Sequence, residues 1–226
     1  MRPLIQKYSI IRAFLFALLL VGNAHADPSD KPLAQVSQLE GSAWRVLDPS
    51  AKKPLSSGAV LRPGDRIETG QATRLAMVFH DGNVIRLNAH TKVVLSAEKS
   101  GESNSNHHVL LTLKVGELWG LVMNRNAENK PVAIKTRHAI AALDEGVFRI
   151  EVLASRATIV KVYRGQVDCS QLSSQTPWQH QVLPMRELII RKDGSATNPF
   201  RFAAKADRCD WVLWNQGLDT IYPLNK

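Results

Sequence analysis

The chain has 226 residues, with 29 Lys and Arg against 20 Asp and Glu for a net charge of +9, and is 44% hydrophobic and 22% charged. That balance describes one globular domain, or a domain with an extension, able to bury a sizeable core, and it excludes a disordered chain. The cationic excess favours anionic partners. Its basic residues are scattered, however, with no run of five and no interleaved aromatic stripe, which sets nucleic-acid binding aside.

Arg2, Lys7 and Arg12 precede a short apolar run, Ala13 to Val21, and the small-x-small site Ala24-His25-Ala26. This is the pattern of a cleaved secretory signal peptide over residues 1–26, with a soluble exported chain beginning at Asp27. A bilayer needs roughly 20 apolar residues, so the run is too short to span one, although an uncleaved anchor is the alternative. Removing the segment lowers the net charge from +9 to +6, because it carries three basic residues and no acid. Cys169 and Cys209 are the two cysteines, and an even count in an exported chain favours a disulfide over two separate buried thiols. Closing that loop would stabilise the fold by roughly 4 kcal/mol.

Taken in order, Ala34–Leu39 and Ala43–Val46 alternate around Glu40-Gly41 and predict two half-buried strands, with Trp44 as a core or edge anchor. Asp48 to Pro54 is a loop. From Leu55 to Leu95 short β-type runs meet turn residues every few positions: Gly58, Pro63-Gly64-Asp65, Thr69-Gly70 and Asp81-Gly82. Asp81-Gly82 between Leu75–Phe79 and Val84–Leu87 predicts a hairpin. The polar stretch Ala97 to His108 is an exposed loop. His107 and His108 point to opposite faces of any extended backbone and have no third ligand at zinc spacing, so no metal is expected.

Val109–Leu113 and Glu117–Val122 predict a strand pair about a turn at Gly116, and the same texture recurs around Gly165. The recurrence hints at coil-by-coil β architecture. Further strands are predicted over Pro131–Thr136, His138–Leu143 and Gly146–Val152. Asp144 and Glu145 read as an acidic turn salt-bridged to Arg137 or Arg149. A catalytic carboxylate pair would need both groups facing one reacting bond, which adjacent extended residues do not. After the linker Ser170 to Pro177, two strands (Gln179–Leu183, Leu188–Ile190) lead to a helix over Ala203–Gln216, stopped by Gly217. Phe202, Ala206, Cys209, Leu213 and Gln216 share one face of that helix. Trp211 and Trp214 lie near enough to pack together. Cover for a small core is one use for Trp178, Trp211 and Trp214; stacking on a carbohydrate or peptide is the other.

Gly58, Leu61, Gly64, Asp65, Ile67, Thr69 and Gly70, followed by a strand and then Asp81, Gly82, Arg86 and Leu87, form a pattern that resembles the FecR domain. Leu113, Gly116, Leu118 and Trp119 extend the resemblance, as do Thr136, Ala139, Ile140, Ala141, Leu143 and Phe148. Asp144-Glu145-Gly146 departs from it, standing where that family has Arg-Gly-Thr. The resemblance implies an all-β periplasmic module, either a β-solenoid or roll or a two-sheet sandwich, with one short C-terminal helix. Residues 27–170 would form that domain, and 171–226 an extension packed on it. It further implies a place in envelope signalling without the cytoplasmic anti-sigma segment.

No nucleophile elbow, zinc-protease motif or phosphate loop occurs, so the chain is not expected to be an enzyme or to carry a cofactor. The expected function is a periplasmic recognition or adaptor module that binds an extended segment of an envelope protein. The alternative is binding of an anionic envelope polymer, peptidoglycan or lipopolysaccharide, through the positive charge and exposed Trp178, Trp211 or Trp214.

Overall fold

In the computed structural model the described residues are 32–96, 108–123, 132–172, 177–203 and 205–220. The expected signal peptide, the loop containing His107 and most of the linker after Ser170 lie outside them. Among the described residues, fifteen strands form one hydrogen-bonded sheet. In chain order they are β1 (Ala34–Glu40), β2 (Ala43–Asp48), β3 (Ala51–Pro54), β4 (Val60–Leu61), β5 (Arg66–Thr69), β6 (Arg74–Phe79), β7 (Val84–Leu87) and β8 (Lys92–Leu95). They continue as β9 (His108–Val122), β10 (Val132–Lys135), β11 (Ala139–Val152), β12 (Thr158–Gln171), β13 (Gln179–Val182), β14 (Arg186–Ile190) and β15 (Phe200–Arg201), before the helix α1 (Asp210–Asp219).

Three long strands organise the rest. The first half of β9 pairs with β8 and, in parallel, with β10; its second half pairs with β7 and β11. β11 and β12 divide in the same way. Their outer halves, Gly146–Val152 against Thr158–Gly165, continue into β14, whereas Ala139–Leu143 against Val167–Gln171 continue into β10 and β13. The sheet is therefore folded over into two layers. The first runs β15-β14-β12-β11-β9-β7-β6-β1-β4 and the second β13-β12-β11-β10-β9-β8-β5-β2-β3, with β9, β11 and β12 crossing between them. Among the described residues this is one continuous mixed sheet, all-β as anticipated, in which every pairing except β9 with β10 is antiparallel.

The crossings correct one expectation. Gly116 and Gly165 do not end strands; each sits inside a continuous one and bends it. At β11 the register jumps from Leu143↔Val167 to Gly146↔Gly165, so Asp144 and Glu145 oppose Gln166 alone. That is a β-bulge, not a turn, and the extra residue turns the strand into the other layer. Gly146 (φ +140°) and Gly165 (φ +76°) adopt backbone that side-chain-bearing residues avoid, and there the two strands cross so closely that a Cβ on either would strike the other's carbonyl. Elsewhere the turn residues hold loops: the Asp65 carboxylate accepts from Arg62 N–H at 2.8 Å, and Asp81 from Asn83 N–H at 2.9 Å.

One large apolar cluster fills the space between the layers. Leu75, Met77, Ile85, Leu87, Leu118, Phe148, Ile150, Val160 and Val162 face inward from the first layer, and Ile67, Val93, Leu111, Leu113, Ile134, Leu143 and Val167 from the second. Period-two alternation places these side chains on one face and their neighbours on the other. Each fully buried Leu, Ile or Val contributes about 1.5–3 kcal/mol.

A separate cluster lies on the outer face of the first layer: Val84, Trp119, Leu121, Met123 and Val147, covered by Trp211 and Val212 of α1. The helix is shorter and starts later than the sequence suggests. Gly217 lies within it, and Trp211, Val212 and Asn215 form its buried face while Leu213 is exposed. The face that carries Leu213 and Gln216 points to solvent, and the helix buries Trp211 instead.

Candidate docking surfaces

The C-terminal segment is held on the first layer by charges as well as by the apolar cluster. Arg86, 1% exposed, pairs with Asp219 at 2.5 Å, and the same carboxylate accepts from Trp119 Nε1 at 2.9 Å. Asp207 is the second anchor. It accepts from Arg149 at 3.0 Å, from Lys161 at 2.5 Å and from the Tyr163 hydroxyl at 2.5 Å. Arg149 also bonds Glu117 and approaches Glu151 at 3.5 Å, and Lys161 approaches Glu187 at 3.5 Å. Tyr163 packs between Trp119, tilted at a centroid distance of 4.5 Å, and Phe202, edge-on at 5.5 Å. Arg149 is thus fully engaged on this face, and no ion pair links Asp144 or Glu145 to Arg137 or Arg149 among the described residues.

Burial pushes the Glu117 carboxyl above the ordinary carboxylate value, against the opposing pull of the Arg149 guanidinium and the Asn88 amide. Burial and the Asp207 carboxylate likewise raise the Tyr163 phenol. The folded chain therefore keeps the Glu117 proton to higher pH than the unfolded chain does. Stability falls as pH rises between the two values. Melting curves of the native chain and of Glu117→Gln from pH 4 to 7 should show the native chain losing more stability across that interval.

The two cysteines do not form the expected disulfide; both are free, Cys169 buried and Cys209 exposed. Topology explains this. Cys169 points with Val167 into the core between the layers, whereas Cys209 precedes α1 on the outer face of the first layer. Burial raises the Cys169 thiol, which slows its reaction further. A thiol reagent should titrate one cysteine per native chain, Cys209, and two in denaturant.

The tryptophans are likewise not the exposed platforms that polymer binding requires. Trp211 is 4% exposed and stacks on Trp214 at 5.4 Å, and Arg74 lies over the Trp214 ring at 5.3 Å. Trp178 is half-buried, donates to Gly194 O at 2.8 Å and stacks on His180 at 5.5 Å. Their rings serve the fold.

The open surface is elsewhere, at the edge of the second layer. Among the described residues β13 pairs only with β12. Gln171 N–H donates to Trp178 O, and the aligned pairs Cys169↔His180 and Val167↔Val182 follow at two-residue steps. In antiparallel pairing the bonded positions alternate, so Gln179 and Gln181 turn their main-chain N–H and C=O away from the sheet. Beside this edge, where β11 and β12 bend, lies a concavity of about 430 Å³ lined by Ala142, Asp144, Glu145, Gln166, Asp168 and Leu183. Leu183 is 41% exposed. In sequence Asp144 and Glu145 read as a turn and the groove is hidden, because the three carboxylates come together only when the bulge aligns β11 with β12.

Residues 65–168 match the model of the family described as FecR protein, a stretch reaching from the turn before β5 into the second half of β12. Those 104 of the 226 residues are similar to the FecR domain, and β1–β4, β13–β15 and α1 fall outside the matched stretch. Two crystal structures of proposed anti-sigma factors from Parabacteroides distasonis are similar to it. One is 21% identical with a TM-score of 0.50, covering 67% of this chain and 65% of that one. The other is 22% identical with a TM-score of 0.49, covering 62% and 61%. The chain thus spans less than two thirds of the length of either structure. No curated protein matches it.

Proposed function

We propose that this chain is a non-enzymatic regulatory module of the bacterial envelope that docks an extended segment of a partner protein, in a cell-surface signalling role. The observation that carries the reading is the unpaired β13 edge, where Gln179 and Gln181 offer two main-chain donors and two acceptors in strand geometry. An extended segment adding to such an edge gains affinity from main-chain bonds and selectivity from alternate side chains. The similarity to the FecR domain and the fold shared with a proposed anti-sigma factor support the signalling role. The basic, apolar and small-residue pattern of residues 1–26 supports a periplasmic location after cleavage at Ala26. The buried polar groups Arg86, Arg149 and Tyr163 are spent on seating the C-terminal extension, which supports a binding role over chemistry.

Site-specific photocrosslinking in intact cells tests this. A photoreactive residue at Gln181 should yield a discrete protein adduct, and one at Lys192, in the turn after β14, should not. Absence of any protein adduct at Gln179 and Gln181 would defeat the proposal.

A further inference from the structure

The geometry points to a partner of defined charge: we infer that the β13 edge receives an extended segment carrying Lys or Arg at alternate positions. This rests on the edge-docking reading above and specifies its partner. Asp144, Glu145 and Asp168 line the concavity beside the edge, and none is paired with a cation among the described residues. Among the described residues, the side chains hydrogen-bonded to Asp168 are Gln166 and Gln181, each at 3.5 Å. The chain as a whole is cationic, at +9, or +6 without residues 1–26, so an acidic groove runs against its overall field and selects for positive charge locally.

The spacing fits. Gln181 lies opposite Asp168 in the register, and Ala142, a small residue, lies opposite Asp168 on the next strand. A strand added outside β13 would lie about 4.8 Å from it, and β12 a further 4.8 Å in. An Arg or Lys side chain projecting over Gln181 spans that separation to reach Asp168. Its apolar stem would lie on exposed Leu183, as long cationic side chains lie on apolar surface. Side chains two residues apart on the added strand share this face, which calls for alternation.

Selection of the full chain against a displayed library of random dodecapeptides, followed by titration of one synthesised enriched peptide, tests the inference. Enriched peptides should carry Lys or Arg at every second position. Affinity should fall at least fivefold in Asp144→Lys/Asp168→Lys and at least fivefold in Gln181→Pro, which removes an outward N–H. It should also weaken with added salt. If Gln181→Pro does not fold, slowed amide exchange at Gln179 and Gln181 on peptide binding replaces it. Enriched peptides without cationic alternation, sensitive to Gln181→Pro and indifferent to the charge reversal, would overturn the charge assignment and leave edge docking standing. Peptides indifferent to both changes, or no enrichment, would overturn edge docking and the inference with it. Concentration-dependent self-association abolished by Lys52→Glu/Lys53→Glu, on the opposite open edge β3, would make the occupant a second copy and refute the partner assignment.

Discussion

Replacing Asp207 with alanine is expected to destabilise the chain by about 3–5 kcal/mol, the cost of breaking a buried ion pair by removing one partner. Asp207 is 8% exposed and holds Arg149, Lys161 and Tyr163 together. Without it the Tyr163 hydroxyl loses its acceptor, and Arg149 and Lys161 keep only Glu117, Glu151 and Glu187. For a chain of this size each kcal/mol shifts the melting temperature by about 2–4 °C, so a fall of roughly 6–20 °C is expected. Asp207→Asn, which keeps an acceptor for Tyr163 and loses the charge, should fall less. Because the same carboxylate pins the approach to α1, tryptophan fluorescence from Trp211 and Trp214 should shift red in the alanine variant below its melting point. An unchanged melting temperature would mean that Asp207 does not help seat the extension, leaving that to the apolar cluster and Asp219.

The second large effect is expected at Gly165. A Cβ there would lie 2.0 Å from the Glu145 carbonyl oxygen, and Gly146 is equally tight against the Arg164 carbonyl at 2.2 Å. Neither contact is with a flexible side-chain end, so relief requires β11 and β12 to part at the crossing. Gly165→Ala should cost about 2–5 kcal/mol, combining the left-handed backbone penalty of about 1–2 kcal/mol with overpacking of about 1–3 kcal/mol. Gly64→Ala is the control: its φ is +87° but nothing lies within 4 Å of the added carbon. It should cost only the backbone penalty, about 1–2 kcal/mol. Urea midpoints of the two variants separate crowding from conformation. Equal costs would refute the close crossing.

Much of this fold was legible because its signals are local. The alternation in Ala34–Glu40, the Asp81-Gly82 hairpin and the Pro63-Gly64-Asp65 turn depend on neighbours in sequence, and the resemblance carried by Gly64 to Leu87 follows from the same residues. The short C-terminal helix was visible for the same reason, but its buried face was not. Which side of α1 is covered depends on Trp119 and Arg86, whose partners in the helix lie 100 and 129 positions away.

The bends misled for a physical reason. A glycine with positive φ reads as a reversal in sequence, yet at Gly116 and Gly165 the chain continues and changes layer. Only the pairing of each strand half distinguishes the two. The disulfide expectation failed similarly, since cysteine count says nothing about the two faces of a sheet. The acidic groove was invisible because Asp144, Glu145 and Asp168 meet across a register shift.

Residue-resolved amide exchange of the free chain tests the open edge most directly. His180 and Val182 should exchange slowly, because their amides face β12, and Gln179 and Gln181 should exchange at rates close to those of exposed turns. Protection of Gln179 and Gln181 equal to that of Val182 would show the edge already covered, and would contradict docking there.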